Sequence, residues 1–295
     1  MAKRSQLLVG GLIAVALVFG GAAGFAQDQR AVWNETQKPF KVFGNTYYVG
    51  TKGLGSLLIT SAGGHVLLDG ALPESVPKIV ANIRTLGFKV EDVKLIVNSH
   101  VHYDHAGGIG ELQRLSGARV AASAPAAKVL MDGKSGPDDP QFGILPPLER
   151  VARVEVVKDG GTLKVGSLSV TVHDTPGHTP GGTSWSWQSC EGARCLNMVY
   201  ADSLSPVSAD SFLFTRTTTY PTVLQDFEKS YRTLEALPCD VVVTPHPGFT
   251  NLFDKLAERE AGKADALVDA GACTRYAATG RKNLAQRVAT ERAVR

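Results

Sequence analysis

The 295-residue chain is 43% hydrophobic and 20% charged, a balance that supports a sizeable buried core and excludes intrinsic disorder and a collagen-like repeat. Its 31 Lys and Arg stand against 28 Asp and Glu, a formal charge of +3. No dense basic run is present, which argues against a dedicated nucleic-acid binder.

Residues 1–26 read as an export signal. Lys3 and Arg4 lead into an apolar stretch from Leu7 to Phe19, and small residues end at Ala26 before polar Gln27. A retained membrane anchor is the competing use of such a segment. Cleavage near Ala26 would leave residues 27–295 as a single domain at +1, exported to the periplasm with no stable membrane association.

Strands are expected at Phe40–Val49, Gly55–Ser61 and His65–Asp69, where apolar residues alternate or cluster between glycine-containing turns. A helix follows over Glu74–Leu86, with Val76, Ile79, Val80, Ile83 and Leu86 at helical spacing and Gly87 as the stop. Strand Lys94–Asn98 runs straight into His100. A helix at Ile109–Leu115, strand Arg119–Ser123 and a short helix from Ala124 complete the first half. Residues 131–147 hold four prolines and three glycines and read as a long irregular loop, the kind that is usually functional or mobile. A second set of strands is expected at Val154–Val157, Thr162–Val165, Leu168–His173, Thr183–Gln188 and Met198–Ala201. Helix Val223–Leu237, strand Asp240–Thr244, helix Leu252–Glu260 and a last helix over Cys273–Ala293 end the chain. Two successive sets of strands, each followed by helices, suggest two sheets packed face to face with helices outside.

In an oxidising compartment the four cysteines read as two disulfides. Of the three possible pairings, position favours Cys190 with Cys195, across a short turn, and Cys239 with Cys273, which ties the last helix to the core. A cysteine metal site is disfavoured by the lack of CxxC spacing.

The strongest chemical signal is Ser99-His100-Val101-His102-Tyr103-Asp104-His105-Ala106-Gly107-Gly108, directly after a buried strand. Three imidazoles and a carboxylate within six residues are hard to explain as packing, since each buried polar group needs a partner. Imidazole nitrogen and carboxylate oxygen are favoured ligands of zinc and similar ions. On an extended segment His100 and His102 share a side. Asp104 and His105, past the turn, can address a second position. His178 and His246 stand in Pro/Gly-rich turns at strand ends and can supply the missing third ligands. His65 and His173 lie within strand patterns and read as structural.

This set, HxHxDH, then a GHTPGG turn, then a late His after a strand, resembles the metallo-β-lactamase superfamily over nearly all of residues 27–295. The resemblance implies an α+β fold, a four-layer αββα sandwich with a metal site at one edge. The stretch from Pro176 to Trp187, Tyr200-Ala201-Asp202-Ser203-Leu204-Ser205, Thr244-Pro245-His246-Pro247 and the Cys239/Cys273 pair are similar to the third subclass (B3) of the β-lactamases. That subclass implies two zinc ions per chain, the first held by His100, His102 and His178 and the second by Asp104, His105 and His246. It further implies opening of the β-lactam amide of penicillins, cephalosporins and carbapenems by a metal-bound hydroxide that the catalytic residue Asp104 orients. Ser203 and Ser205 are the implied substrate contacts, and the 136–147 loop, with Phe142 and Ile144, and the segment around Trp33 are candidates to cover apolar substrate groups. The expected partner is a small-molecule β-lactam and the expected state a monomer. The rival within the superfamily is a zinc-dependent lactonase or a glyoxalase II-like thioesterase, because those relatives bridge both metals with an acidic residue in the segment of Asp202. A zinc-binding module without catalysis is the other alternative.

Overall fold

Two sheets, each with helices on its outer face, make up a computed structural model that describes residues 29–293. The first sheet has seven strands in chain order: β1 (Phe40–Phe43), β2 (Thr46–Tyr48), β3 (Leu57–Ile59), β4 (His65–Leu68), β5 (Val93–Val97), β6 (Arg119–Ala122) and β7 (Val154–Val156). Pairing is antiparallel up to β4 and parallel from β4 to β7. The second sheet consists of β8 (Thr162–Val165), β9 (Leu168–Asp174), β10 (Thr183–Glu191), β11 (Arg194–Tyr200) and β12 (Val241–Val243), antiparallel except for β11 with β12.

Strand alternation sorts the core into three apolar layers. Leu57, Ile59, Leu68 and Val97 of the first sheet meet Val170, Trp185, Met198 and Val243 of the second between the sheets. The neighbouring Leu58, Leu67 and Ile96 point the other way, against helices α1 (Val76–Thr85), α3 (Ile109–Ser116) and α4 (Ala124–Asp132). The one-turn helix α2 (Tyr103–Ala106) precedes α3. Val199 and Val242 face α5 (Val223–Ala236) and α7 (Ala272–Ala293). Helix α6 (Leu252–Glu260) sends Leu252 into the layer between the sheets. Each fully buried Leu, Ile or Val contributes roughly 1.5–3 kcal/mol, so the double alternation stabilises all four layers at once. The αββα order expected from the resemblance is the order found.

Two local expectations need correction. The stretch 40–49 is a hairpin and not one strand: Gly44, at φ 54°, turns the chain back so that Phe40 pairs with Tyr48. Strand β7 belongs to the first sheet, parallel to β6, and not to the second set; its short Val-Glu-Val pattern carries no information about its partner. Both expected disulfides are present, Cys190–Cys195 across the β10–β11 hairpin and Cys239–Cys273. The export signal read at residues 1–26 lies outside the described residues. No helix among the described residues is long and apolar enough to cross a membrane.

Candidate metal centre

The segment that leaves β5 is fixed before it reaches its first histidine. Asp69 accepts hydrogen bonds from the Ser99 amide and hydroxyl, both at 2.7 Å, and from the Tyr200 hydroxyl at 2.7 Å. Burial nevertheless pushes the Asp69 carboxyl up to about 7. The Asn98 carbonyl accepts from Thr183 Oγ1 and Trp185 Nε1 of the facing sheet. With the strand exit held from both sheets, the extended run 99–102 places His100 and His102 together, and α2 then carries Asp104 and His105 to a neighbouring position.

Two further segments close on this one. The turn between β9 and β10 is drawn shut by Thr175 N–H donating to the Gly182 carbonyl at 2.9 Å, with His178 at its tip. Gly177 in this turn has φ 131°, and a Cβ there would strike the Phe227 ring. Past β12, the Pro245 carbonyl accepts from Gly55 N–H, and His246 Nδ1–H donates to the Gly53 carbonyl at 3.2 Å.

The outcome is two groups of three. His100, His102 and His178 present nitrogens within 4.8 Å of one another, and a carboxylate oxygen of Asp104 lies equally close to nitrogens of His105 and His246. The His100 ring centroid lies 4.6 Å from that of His178 and 4.5 Å from that of His105, so the groups sit side by side. In the second group the edges are 3.2 Å from His105 Nε2 to His246 Nε2, 3.2 Å from His105 Nε2 to Asp104 Oδ2 and 3.4 Å from His246 Nε2 to Asp104 Oδ2. A tetrahedral site with bonds of 2.0–2.1 Å has ligand–ligand edges of about 3.3 Å.

Hydrogen bonds on the far side of the rings decide which nitrogens face inward. His100 Nδ1–H donates to Asp202 Oδ1 at 2.7 Å and His178 Nδ1–H to the Ser205 carbonyl at 2.8 Å, which leaves Nε2 of each free. His102 is reversed: its Nε2–H donates to Asp139, leaving Nδ1. Burial lowers His100 well below the usual imidazole range, lowers His105, and takes His178 down to about 3, so these rings are neutral near pH 7. Burial alone would raise Asp104, but the adjoining His105 and His246 outweigh it and hold the carboxyl well below the usual carboxylate range. The neutral rings of His100, His105 and His178 therefore lie beside an ionised carboxylate. The inward Nε2 of His100 is buried with no hydrogen-bond partner. Such a donor set fits a divalent cation.

The six residues expected as ligands are thus brought together, and they form the floor of a cleft of about 730 Å³. Ser203 and Ser205 stand on its wall, the Ser203 hydroxyl buried with no hydrogen-bond partner. Trp33 and Ile144 line the cleft as expected; Phe142 does not, and faces a neighbouring groove beside Phe212 and Leu213. Val207 and Phe249, unforeseen from sequence, add apolar wall. Asp202 is turned onto the outer nitrogen of His100 and packs against Gly182, where a Cβ would strike Oδ2. His65 packs edge-on to Phe88 and His173 bonds Ser186, both apart from the centre. Asp139 and Gln141 were missed, because an isolated Asp or Gln in a Pro/Gly loop carries no sequence signal.

A two-sheet sandwich that brings two His-rich groups of three together defines a metal-binding protein. A family model described as the metallo-β-lactamase superfamily matches residues 56–246. The chain belongs to the metallo-β-lactamase superfamily. It is similar to the Rm3 metallo-β-lactamase, with 54% identity and a TM-score of 0.89 over 90% of this chain and 98% of that one. MEM-A1, a subclass B3 metallo-β-lactamase isolated from a soil metagenome library, gives 48% identity and a TM-score of 0.87 over 89% and 100%. Among curated proteins, a hydroxyacylglutathione hydrolase of Bradyrhizobium sp. (strain ORS 278) is 30% identical over 152 residues, 49% of this chain, and the chain spans half of that relative's length.

Proposed function

We propose that this protein opens the amide bond of β-lactam antibiotics, penicillins, cephalosporins and carbapenems among them, with two zinc ions, in the periplasm after loss of residues 1–26. The observation that carries this reading is the pair of three-residue groups side by side under an open cleft, in a chain 54% identical to a protein described as a metallo-β-lactamase. His100, His102 and His178 would hold one ion, and Asp104, His105 and His246 the other. Zinc bound there supplies Lewis acidity, which lowers the pKa of water to about 7 and polarises a carbonyl oxygen.

The protein's own groups do the rest. Ionised Asp104 orients the attacking water and accepts its proton for delivery to the amide nitrogen that leaves. The Ser205 hydroxyl donates to the substrate carboxylate, while the Ser203 hydroxyl is shut off from solvent. Trp33, Ile144, Val207 and Phe249 exclude water from the apolar side groups of a bicyclic substrate. Near-neutral charge suits a small amphoteric substrate better than a polyanion. The thioesterase alternative loses support from Asp202, whose carboxylate is engaged by His100.

The test is a hydrolysis assay of the purified protein, from residue 27, against a penicillin, a carbapenem, an acyl-homoserine lactone and a glutathione thioester, with and without chelator. Chelator-sensitive opening of both β-lactams is expected. Zinc-loaded protein that cleaves the lactone or thioester and neither β-lactam would refute the proposal.

A further inference from the structure

We propose that Asp139 is a positioning residue that fixes His102 for the first metal and thereby couples the cleft-lining loop, residues 133–147, to that metal. The inference rests on the metal assignment above and deepens it.

Of the three rings in the first group, His102 alone turns its Nδ1 inward. That choice requires the proton to sit on Nε2, and the Asp139 oxygens, 3.1 and 3.2 Å away, are what it is given to. Asp139 is 5% exposed, so the bond is shielded from water. The carboxylate is itself held: Gln141 N–H donates to Oδ1 at 2.8 Å. Its backbone is pinned by Asp139 N–H donating to the Gly136 carbonyl and by Phe142 N–H donating to the Asp139 carbonyl. The side-chain amide of Gln141 comes within 3.3 Å of His102 Nδ1, so the same loop touches the ring on both nitrogens.

The loop does not end there. The Pro140 carbonyl accepts from Ala209 N–H at 2.9 Å, which joins it to the segment after Ser205 and Val207. Ile144 and Leu145, a few residues on, line the cleft. One carboxylate therefore links a wall of the cleft to a ring of the metal floor, 37 residues earlier in the chain. A carboxylate on the outer nitrogen of a ligating histidine orients the ring and raises its basicity, and its loss typically costs tenfold to a hundredfold in metal affinity. Because coupling is reciprocal, metal at the first group should also order the loop.

The experiment is zinc binding by chelator competition for the wild-type chain, Asp139→Ala and Asp139→Asn, with backbone hydrogen exchange of residues 139–145 read with and without zinc. In Asp139→Asn the side-chain amide carbonyl can still accept from His102 Nε2–H, so that variant keeps the tautomer and loses only the charge. Asp139→Ala is expected to weaken one of the two zinc ions tenfold to a hundredfold, Asp139→Asn less, and zinc is expected to slow exchange in the wild-type loop and not in Asp139→Ala. Unchanged affinity, or equal weakening of both ions, would overturn the inference. A wild-type chain that binds zinc but leaves β-lactams intact would refute the proposed function alone, since none of these readouts involves a substrate.

Discussion

Asp202 accepts a 2.7 Å hydrogen bond from His100 Nδ1, with both side chains shut off from solvent beneath the first histidine group. Its backbone is fixed as well, by the Ser184 hydroxyl at its N–H and the Tyr276 hydroxyl on its carbonyl. Held in this way, the carboxylate supports the His100 ring through its outer nitrogen. Asp202→Ala should therefore weaken the first zinc tenfold to a hundredfold and spare the second. Competition with a chromophoric chelator separates the two outcomes: loss of both ions together would revive the bridging role and with it the thioesterase reading.

Removing a ligand from each group gives a coarser result. His178→Ala and His246→Ala should each lower bound metal by about one ion per chain at fixed free zinc, because three protein ligands become two. Elemental analysis of the dialysed proteins measures this directly, and unchanged metal content in both variants would sink the ligand assignment.

The C-terminal helix makes a pH-dependent contribution to stability. Glu291 accepts the backbone N–H groups of Phe214 and Thr215, the Thr215 hydroxyl and Arg287 Nε. Burial acts to raise its pKa, but these donors outweigh it and hold the carboxylate below the ordinary glutamate value of 4.5. The native state thus binds this proton less readily than the unfolded chain, so the stabilisation is present above that value and is lost as pH falls through the lower native one. Between about pH 5 and pH 3 the wild-type melting temperature should fall more steeply than that of Glu291→Gln. Parallel curves would contradict this.

The disulfides should rank by loop length. Cys239 and Cys273 are 34 residues apart and Cys190 and Cys195 only 5. Constraint of the unfolded chain predicts about 4 kcal/mol for the first and about 2 kcal/mol for the second. Double Cys→Ser variants of each pair, compared by denaturant unfolding, should lose stability in that order. A larger loss from the short loop would show that native contacts at the hairpin dominate.

Local pattern made much of the fold legible. The spacing of Val76, Ile79, Val80 and Ile83 marks α1 because a helix must bury one face, and those four residues are buried. Pairing across distance was not legible: Val154–Val156 has the same pattern whichever sheet it joins, and only its position beside β6 decides. The Gly44 turn was hidden inside an otherwise continuous strand pattern. At the centre, the dense run 100–105 announced itself because packing cannot explain so many polar side chains. The supports of those rings, Asp139 for His102 and the Ser205 carbonyl for His178, were invisible because each is a contact between distant segments. The loop 133–147 could be read as irregular, but not which of its side chains turn inward: Ile144 does and Phe142 does not.

The most direct test of the whole account is to strip the protein of metal, add zinc stepwise, and follow opening of a carbapenem by loss of its ultraviolet absorbance alongside the zinc bound. The expected result is no hydrolysis without metal and activity that rises with zinc and levels off when about two ions are bound per chain. Ring opening that is indifferent to zinc, or a fully loaded protein that leaves the carbapenem and a penicillin intact, would contradict it.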